Sequence, residues 1–463
     1  MPHSQRSQAE ALFLEGNRLL AAGDLSGAEA AFKQALTLVP DFIEAHANLG
    51  LIYNLSNSPQ EAEHHYRQAL TLAPQVAQIH LNFGALLAKV KRFEEGESAY
   101  RQAIALQPDY AAAWSNLGAL LAGLNRDEEA EQCHLKALAI DPDYEKARFN
   151  LAYVLLRQGR FEEGWTYFEA RDWHASLAAH LTCPRWQGES RVGKKLLIGY
   201  EGGFGDVLQF CRYIPLIKRL SAAEITLFCH PQLKSLLTTL EGVDAVIGYD
   251  EALPSDGWDA WLPLLSAPFV FGTRADSIPA ALPYLKAEPE RMQHWAPRLP
   301  ETGFRVGLVW KGSPNHDNDA DRSLSSLACL APLTDIPGIQ FVSLQKGAGE
   351  DETQLGSHSL IPLGREIQDF ADTAAILAQL NLLISIDSAA AHLAGALGIP
   401  CWVLLPAYQP DWRWLNTGET SPWYPDVMRL FRQRRMGDWE KVIAQVAASL
   451  AIWVQENTAT ASL

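Results

Sequence analysis

Basic residues, cysteine and long apolar runs are all scarce in this 463-residue chain. Its 38 lysines and arginines are outnumbered by 54 acids, a formal charge of −16. A general nucleic-acid binder needs a basic face to neutralise phosphates, so no nucleic-acid partner is expected. A local basic pocket for a small anion stays open. The six cysteines, at 133, 183, 211, 229, 329 and 401, form no CxxC or zinc spacing and are too sparse for a disulfide framework. No run of about 18 apolar residues is present to span a membrane. The N-terminus, MPHSQRSQAE, has no apolar signal stretch. These absences predict a cytoplasmic chain with reduced thiols and no membrane span. At 48% hydrophobic residues it has material for sizeable cores, and its length suggests about three domains.

What is present first is a period. Pro40, Pro74, Pro108 and Pro142 fall 34 residues apart, as do Gly16, Gly50, Gly84 and Gly118. Ala28, Ala62, Gly96 and Ala130 keep the same spacing, as do Phe32, Tyr66, Tyr100 and His134, and Ala35, Ala69, Ala103 and Ala137. Small residues let paired helices approach, the ring fills the gap beside them, and proline ends the second helix. This register resembles the tetratricopeptide repeat, with four full units from about Ala9 to Pro142. A decayed fifth unit runs to about Arg171, giving an expected repeat domain over 1–171. Such solenoids mostly bind proteins or peptides. Asn48, Asn82, Asn116 and Asn150 also keep the period, so stacking predicts an amide ladder able to grip an extended acceptor peptide. The ladder resembles that of O-GlcNAc transferase. His46, His80 and Trp114 share another register position, with packing or surface placement expected. The exposed first repeat leaves pairing with a second copy open.

From about 190 the helical pattern gives way to short apolar runs between helices. Strands are expected at 194–201, 224–230 and 244–250, making a Rossmann-like domain over 185–290. A proline- and charge-rich connection at 285–303 leads to a second such domain over 303–463. Its strands are expected to begin at FRVGLVW and to continue at 339–345, 382–387 and 401–406. A final amphipathic helix is suited to packing back across the domains. The fold class is therefore an α solenoid followed by α/β, with two Rossmann-like domains in a GT-B arrangement.

The run from Asp369 to Pro406 resembles the nucleotide-sugar region of heptosyltransferase-like glycosyltransferases. Asp387, Ser388, His392, Leu393, Ala394, Ala396, Leu397, Gly398 and Pro400 match their D-[ST]-x-x-x-H-L-A-x-A-L-G-x-P pattern. GGFGD at 202–206 resembles the glycine-rich loop that opens their first domain. The whole layout is similar to bacterial proteins that fuse tetratricopeptide repeats to such a transferase.

These segments carry the candidate chemistry. GGFGD places Leu208 where a dinucleotide fingerprint needs its third glycine, so no NAD site is expected. Gly203 and Gly205 are assigned to the acceptor side. Asp206 suits a helix N-terminus, and the resemblance implies that it is the base taking the acceptor's proton. His316 is the reserve base. Lys311, after a strand, can neutralise a departing diphosphate, and Arg322 can add a planar fork. Ser388, Ala389 and Ala390 open a helix whose first amides suit the diphosphate, with Asp387 or Ser388 as cap. His392 either reaches the donor or packs. Gln345 and Lys346 are assigned to the ribose or base. Asp369 and Asp372 either frame the base or cap a helix. The DxD pairs at 317, 319 and 321 raise a metal site, but the implied GT-B plan manages without one, so no metal or cofactor is expected. The tryptophan- and proline-rich loop at 406–425 either walls the ligand or packs on itself.

The favoured expectation is an inverting glycosyltransferase moving a sugar from a UDP-, GDP- or ADP-sugar to a hydroxyl, on a protein or peptide recruited by the repeats. The alternatives are a glycan or lipid-linked acceptor, or a non-catalytic repeat scaffold whose transferase domain has decayed.

Overall fold

The computed structural model describes residues 3–356 and 358–460. The outermost ends of the expected first and last domains lie outside these residues. The chain divides into two compact units, Met1–Leu151 and Ala152–Leu463.

The first unit is a stack of helix pairs. They are His3–Ala21 with Leu25–Leu38, Ile43–Leu55 with Pro59–Leu72, Ala77–Lys89 with Phe93–Leu106, and Ala111–Gly123 with Asp127–Ile140. Helix Glu145–Arg157 begins a fifth pair. The 34-residue register has the expected physical cause. A Cβ on Gly16, Gly50, Gly84 or Gly118 would stand 2.5–2.8 Å from the ring of Phe32, Tyr66, Tyr100 or His134 respectively. Each glycine thus makes room for the ring one helix later, and Ala28, Ala62 and Ala130 are fully buried beside it.

Three further features keep the period. The turn inside each pair holds a left-handed residue, in order Gly23, Asn57, Lys91, Asn125 and Gly159. Arg92 bridges Glu63 and Glu95 at 2.7 and 2.6 Å, and Arg126 repeats this with Glu97 and Glu129. The rings of His46, His80 and Trp114 donate through Nε2 or Nε1 to the carbonyls of Pro40, Pro74 and Pro108, at 2.9–3.0 Å. Their shared register is thereby explained: each ring ties a helix to the proline turn before it.

The second unit carries two parallel sheets. Strands β1 (Lys195–Gly199), β2 (Glu224–Cys229), β3 (Ala245–Gly248) and β4 (Ala260–Pro263) form the first, in the order β3-β2-β1-β4. Strands β5 (Phe304–Val309) and β6 (Ile339–Ser343) begin the second. After a small antiparallel ribbon of β7 (Gln354–Leu355) and β8 (His358–Ser359) come β9 (Ile361–Pro362), β10 (Leu382–Ile386), β11 (Cys401–Leu405) and β12 (Met428–Arg432). The second sheet runs β12-β11-β10-β5-β6-β9. Such an order reverses direction between β5 and β10, and open parallel sheets bind ligands outside the carboxyl ends of the strands at that switch. The central strands are apolar runs covered on both faces: β10 and β11 are buried at every position.

The unit boundary differs from the expected 171. Helix Phe161–Phe168 gives its rings to the α/β core, where Trp165 lies 5.4 Å from Trp412 and 6.4 Å from Phe210. Trp165 Nε1 also donates to the Thr273 carbonyl at 2.9 Å. The connection at 285–303 is likewise structured, with helix Pro289–Trp295 inside it. The final helix, Trp439–Thr460, sends Val442, Ile443, Val446 and Leu450 into the core of the second sheet.

Candidate functional site

The first sheet ends at its glycine loop. β1 gives way to Gly202, at φ +66°, and to Gly203, which precedes helix Phe204–Phe210. Asp206 accepts the Gly203 amide at 2.7 Å through Oδ2. Its other oxygen meets the Arg413 guanidinium. Burial pushes the Asp206 carboxyl up, opposed by the Arg413 charge and the Gly203 amide. Gly205 has a different job from the expected acceptor contact. A Cβ there would stand 2.9 Å from His392 Cδ2, so this glycine lets the helix approach helix Ala389–Ala396.

The second sheet supplies the facing loops. After β10, Asp387 is pushed up to about 6, by burial first and then by the negative charge of Asp411. Arg322 and Arg413 pull it back. Ser388 occupies the N-cap position of helix Ala389–Ala396 without capping it; its hydroxyl bonds Ser385 at 2.8 Å instead. The first-turn residues Ala389 and Ala390 stay partly accessible. An uncapped helix start next to arginines is a favourable place for an anion.

Arg413 organises the meeting of the two sheets. It is 5% exposed, bonds Asp411 at 2.9 and 3.0 Å, and donates through Nε to Gln209 at 2.6 Å. Arg322 lies against the backbone of Gly312, where a Cβ would stand 2.5 Å from its Nη2, and pairs with Asp319 at 3.4 Å. Asp206, Asp387, Asp411, Arg322 and Arg413 thus form one charged constellation at the carboxyl ends of β1, β5, β10 and β11. His316 is exposed on the adjoining loop, its Nδ1 accepting the Asn318 amide at 3.2 Å.

Other expected residues are already occupied. Lys311 Nζ pairs with Glu352 at 2.8 Å. Burial alone would raise Glu352, but Lys311 and the Leu327 amide hold its carboxyl below the usual range. Gln345 is 2% exposed and uses its whole amide on backbone: Oε1 takes the Trp310 and Lys311 amides, while Nε2 donates to the Lys311 and Ala348 carbonyls. It staples loops and offers no free group to a ribose. Lys346 donates to the Ile367 carbonyl at 2.7 Å. His392 is a packed ring, stacked 5.1 Å from Trp414 and bonded to Tyr424 at 2.9 Å. Burial drives its imidazole far below its ordinary value. Asp369 and Asp372 bind Arg291 at 2.8–3.0 Å, and Asp369 caps its helix, so neither faces a base. In the 406–425 loop, Trp412, Trp414 and Trp423 are buried, which is the self-packing alternative.

In the repeats, the four ladder asparagines are all half-buried on the first helices of their pairs. Asn48 donates to Asn17 at 2.7 Å, Asn82 accepts from Gln78 at 2.9 Å, and Asn116 accepts from Lys146 at 3.2 Å. Asn150 Nδ2 is buried without a partner among the described residues.

Sequence reasoning missed Arg413, Asp411 and Glu352. Arg413 and Asp411 lie in the PDWRW run, where the charged pair is visible but its reach to Asp206 is set only by the fold.

The family models bear on the N-terminal third of the chain. Family models described as tetratricopeptide repeat match residues 13–77, 75–143 and 135–166. The chain is 32% identical over 321 residues to Protein FlbA of Caulobacter vibrioides, covering 64% of this chain and 53% of that protein. The chain therefore spans about half the length of this curated relative. Among solved structures, PilF of Pseudomonas aeruginosa aligns at a TM-score of 0.34 and 22% identity, over 36% of this chain and 76% of that one. YrrB, described as a TPR protein with an unusual peptide-binding site, aligns at 0.29 and 19%, over 34% and 82%. Residues 13–166 carry tetratricopeptide repeats, followed by an α/β region with parallel sheets.

Proposed function

We propose that this chain is a glycosyltransferase of GT-B arrangement. It would move a sugar from a nucleotide diphosphate to a hydroxyl acceptor, with the repeats recruiting the polypeptide that carries the acceptor. The observation that carries the reading is the charged constellation at the β5/β10 switch. There the uncapped start of helix Ala389–Ala396 meets the glycine loop of the other sheet at Gly205, and the Arg322 charge bears on Asp387. That is chemistry suited to a diphosphate on one side and a proton acceptor on the other.

The reaction is a single in-line displacement. The acceptor oxygen bonds to the anomeric carbon while its proton passes to Asp206, whose burial makes it a stronger base than a free carboxylate. The bond from that carbon to the diphosphate oxygen breaks, and the nucleoside diphosphate leaves with the electron pair. The configuration inverts. The Ala389 and Ala390 amides, Arg322, and Lys311 after exchanging Glu352 for the ligand stabilise the charge on the leaving group.

A donor screen tests this. Purified chain is melted with UDP-, GDP- and ADP-sugars, and slow donor hydrolysis is followed. A ligand at about 100 times its Kd adds about 2.7 kcal/mol, a readable rise in Tm. One diphosphosugar that both stabilises and hydrolyses supports the reading. If none shifts the melting curve, the scaffold reading replaces it.

A further inference from the structure

The second repeat departs from the other full units at two positions that touch each other. One register position is small elsewhere: Ala31, Ala99 and Cys133 occupy it, all buried. In the second repeat it is His65. Another is leucine elsewhere, at Leu19, Leu87 and Leu121, and here it is Tyr53. Tyr53 stacks on His65 at 5.5 Å and 12°, and its hydroxyl donates to Glu29 at 2.8 Å. The phenol ring, itself tied down, fixes the plane of the imidazole.

His65 meets the ring of His46, with their Nδ1 atoms 2.9 Å apart. His46 Nε2 bonds the Pro40 carbonyl at 3.0 Å. A carbonyl only accepts, so Nε2 carries the His46 proton and Nδ1 keeps its lone pair, aimed at His65. Burial pushes the His46 imidazole down, and burial followed by the His46 ring takes His65 down to about 4. Both rings are therefore neutral at pH 7, the form that ligates a metal. His80 is the comparison within the chain. It makes the same bond to the Pro74 carbonyl at 2.9 Å, yet the register position of His65 there is Ala99. The proline tie needs one ring only and does not account for the second.

We propose that His46 and His65 hold a zinc ion between their Nδ1 atoms, tying helix Ile43–Leu55 to helix Pro59–Leu72. A ring whose far nitrogen donates to a carbonyl is the arrangement that orients zinc-ligating histidines. One proton changes place. In the hydrogen-bonded pair His65 carries it on Nδ1 and donates to His46; in the zinc-bound pair His65 carries it on Nε2. Zinc–nitrogen legs of about 2.0–2.1 Å at a tetrahedral angle spread the two nitrogens to about 3.3 Å, so the rings part by a few tenths of an ångström. Among the described residues no group of three or more histidines, cysteines or acids converges here, and the Glu29 carboxylate is engaged by Lys33 at 2.6 Å and by Tyr53. Water completes the shell, which makes the ion exchangeable. It enters from solvent, since His65 is half-buried and His64 beside it is exposed. The site lies within the repeats and stands whatever reaction the α/β unit performs.

The test titrates zinc chloride into the chelator-treated full chain by calorimetry at pH 7.5, with magnesium chloride in parallel. The tightest step should take up one zinc per chain. Magnesium, which wants oxygen ligands, should give no such step. His65→Ala restores the small residue of the other repeats, so it should fold, with an undiminished Tm in metal-free buffer as the check. It should weaken the zinc step at least tenfold. His80→Ala removes a ring that makes the same proline tie and should leave the step unchanged. Nitrogen-15 spectra of the imidazoles give a second reading: zinc should move Nδ1 of both His46 and His65 while His46 Nε2 stays protonated. The proposal is overturned if no zinc step appears, if His65→Ala keeps it, or if His64→Ala abolishes it while His65→Ala does not. A spectrum in which zinc leaves both Nδ1 signals in place overturns it as well, by showing that the pair is a hydrogen bond and nothing more.

Discussion

The Arg413 guanidinium lies against the Asp206 carboxylate across 207 positions of chain, joining the glycine loop of one sheet to the aromatic loop of the other. The same guanidinium holds Asp411. Removing it leaves two acids close together without their cation, and breaking such a buried pair costs about 3–5 kcal/mol. Arg413→Ala is expected to lower the unfolding free energy by that amount, read as a lower urea midpoint, while Asp206→Asn should be milder because the Gly203 amide can still be accepted. With a donor in hand, Asp206→Asn should slow turnover by roughly 10²–10⁴ while leaving donor affinity intact. Unchanged turnover would remove Asp206 as the base.

Asp387 gives a pH signature. Its folded value near 6 lies above that of an unfolded aspartate, so between about pH 4 and 6 the native state binds the extra proton. Stability should therefore fall as pH rises through that window. Asp387→Asn should flatten the dependence and add up to about 2 kcal/mol at pH 7. Chemical denaturation of both proteins at pH 4.5 and 7 measures it, and parallel curves would contradict it.

In the repeats, Gly84 and Tyr100 form a size-matched pair. Gly84→Ala sets a methyl 2.8 Å from the ring and should cost about 1–3 kcal/mol by overpacking. Adding Tyr100→Leu should cost less than the sum of the two changes, because the smaller side chain gives the methyl room. Strict additivity would mean that the two residues do not share the space.

Lys91 is the one lysine among the left-handed turn residues of the stack, at φ +63°. Asparagine tolerates this conformation better and already holds it at Asn57 and Asn125. Lys91→Asn should raise stability by about 0.5 kcal/mol, read as a small increase in Tm, whereas Asn57→Lys should do the reverse.

The sequence made the repeats legible because one packing rule, glycine opposite ring, recurs at a fixed spacing and every repeat reports it. The main strands were legible as apolar runs between turn residues. β4 and β12 were not: AWLP is four residues closed by a proline, and MRLFR alternates charge with apolar side chains. At the site, the glycine loop and the Ser388 helix were visible as local motifs. The ties of Arg413 to Asp206 and of Lys311 to Glu352 were not, because each partner lies in a distant loop whose position only the folded sheets decide. Gln345 shows the opposite failure. A polar residue after a strand reads as a ligand contact, yet its amide is consumed by the backbone around it.

Helix Phe161–Phe168 belongs to the repeat register by sequence and to the α/β core by packing. A protein cut at Arg171 to isolate the sheets would therefore lose Trp165 and Phe168 and leave Trp412 and Phe210 facing water. Cut near Ala152, the same sheets would keep those aromatic neighbours. The last repeat thus counts as part of the α/β unit's core, and natural shuffling of repeat arrays onto this unit would have to exchange units ahead of that helix, carrying the fifth pair along with the sheets.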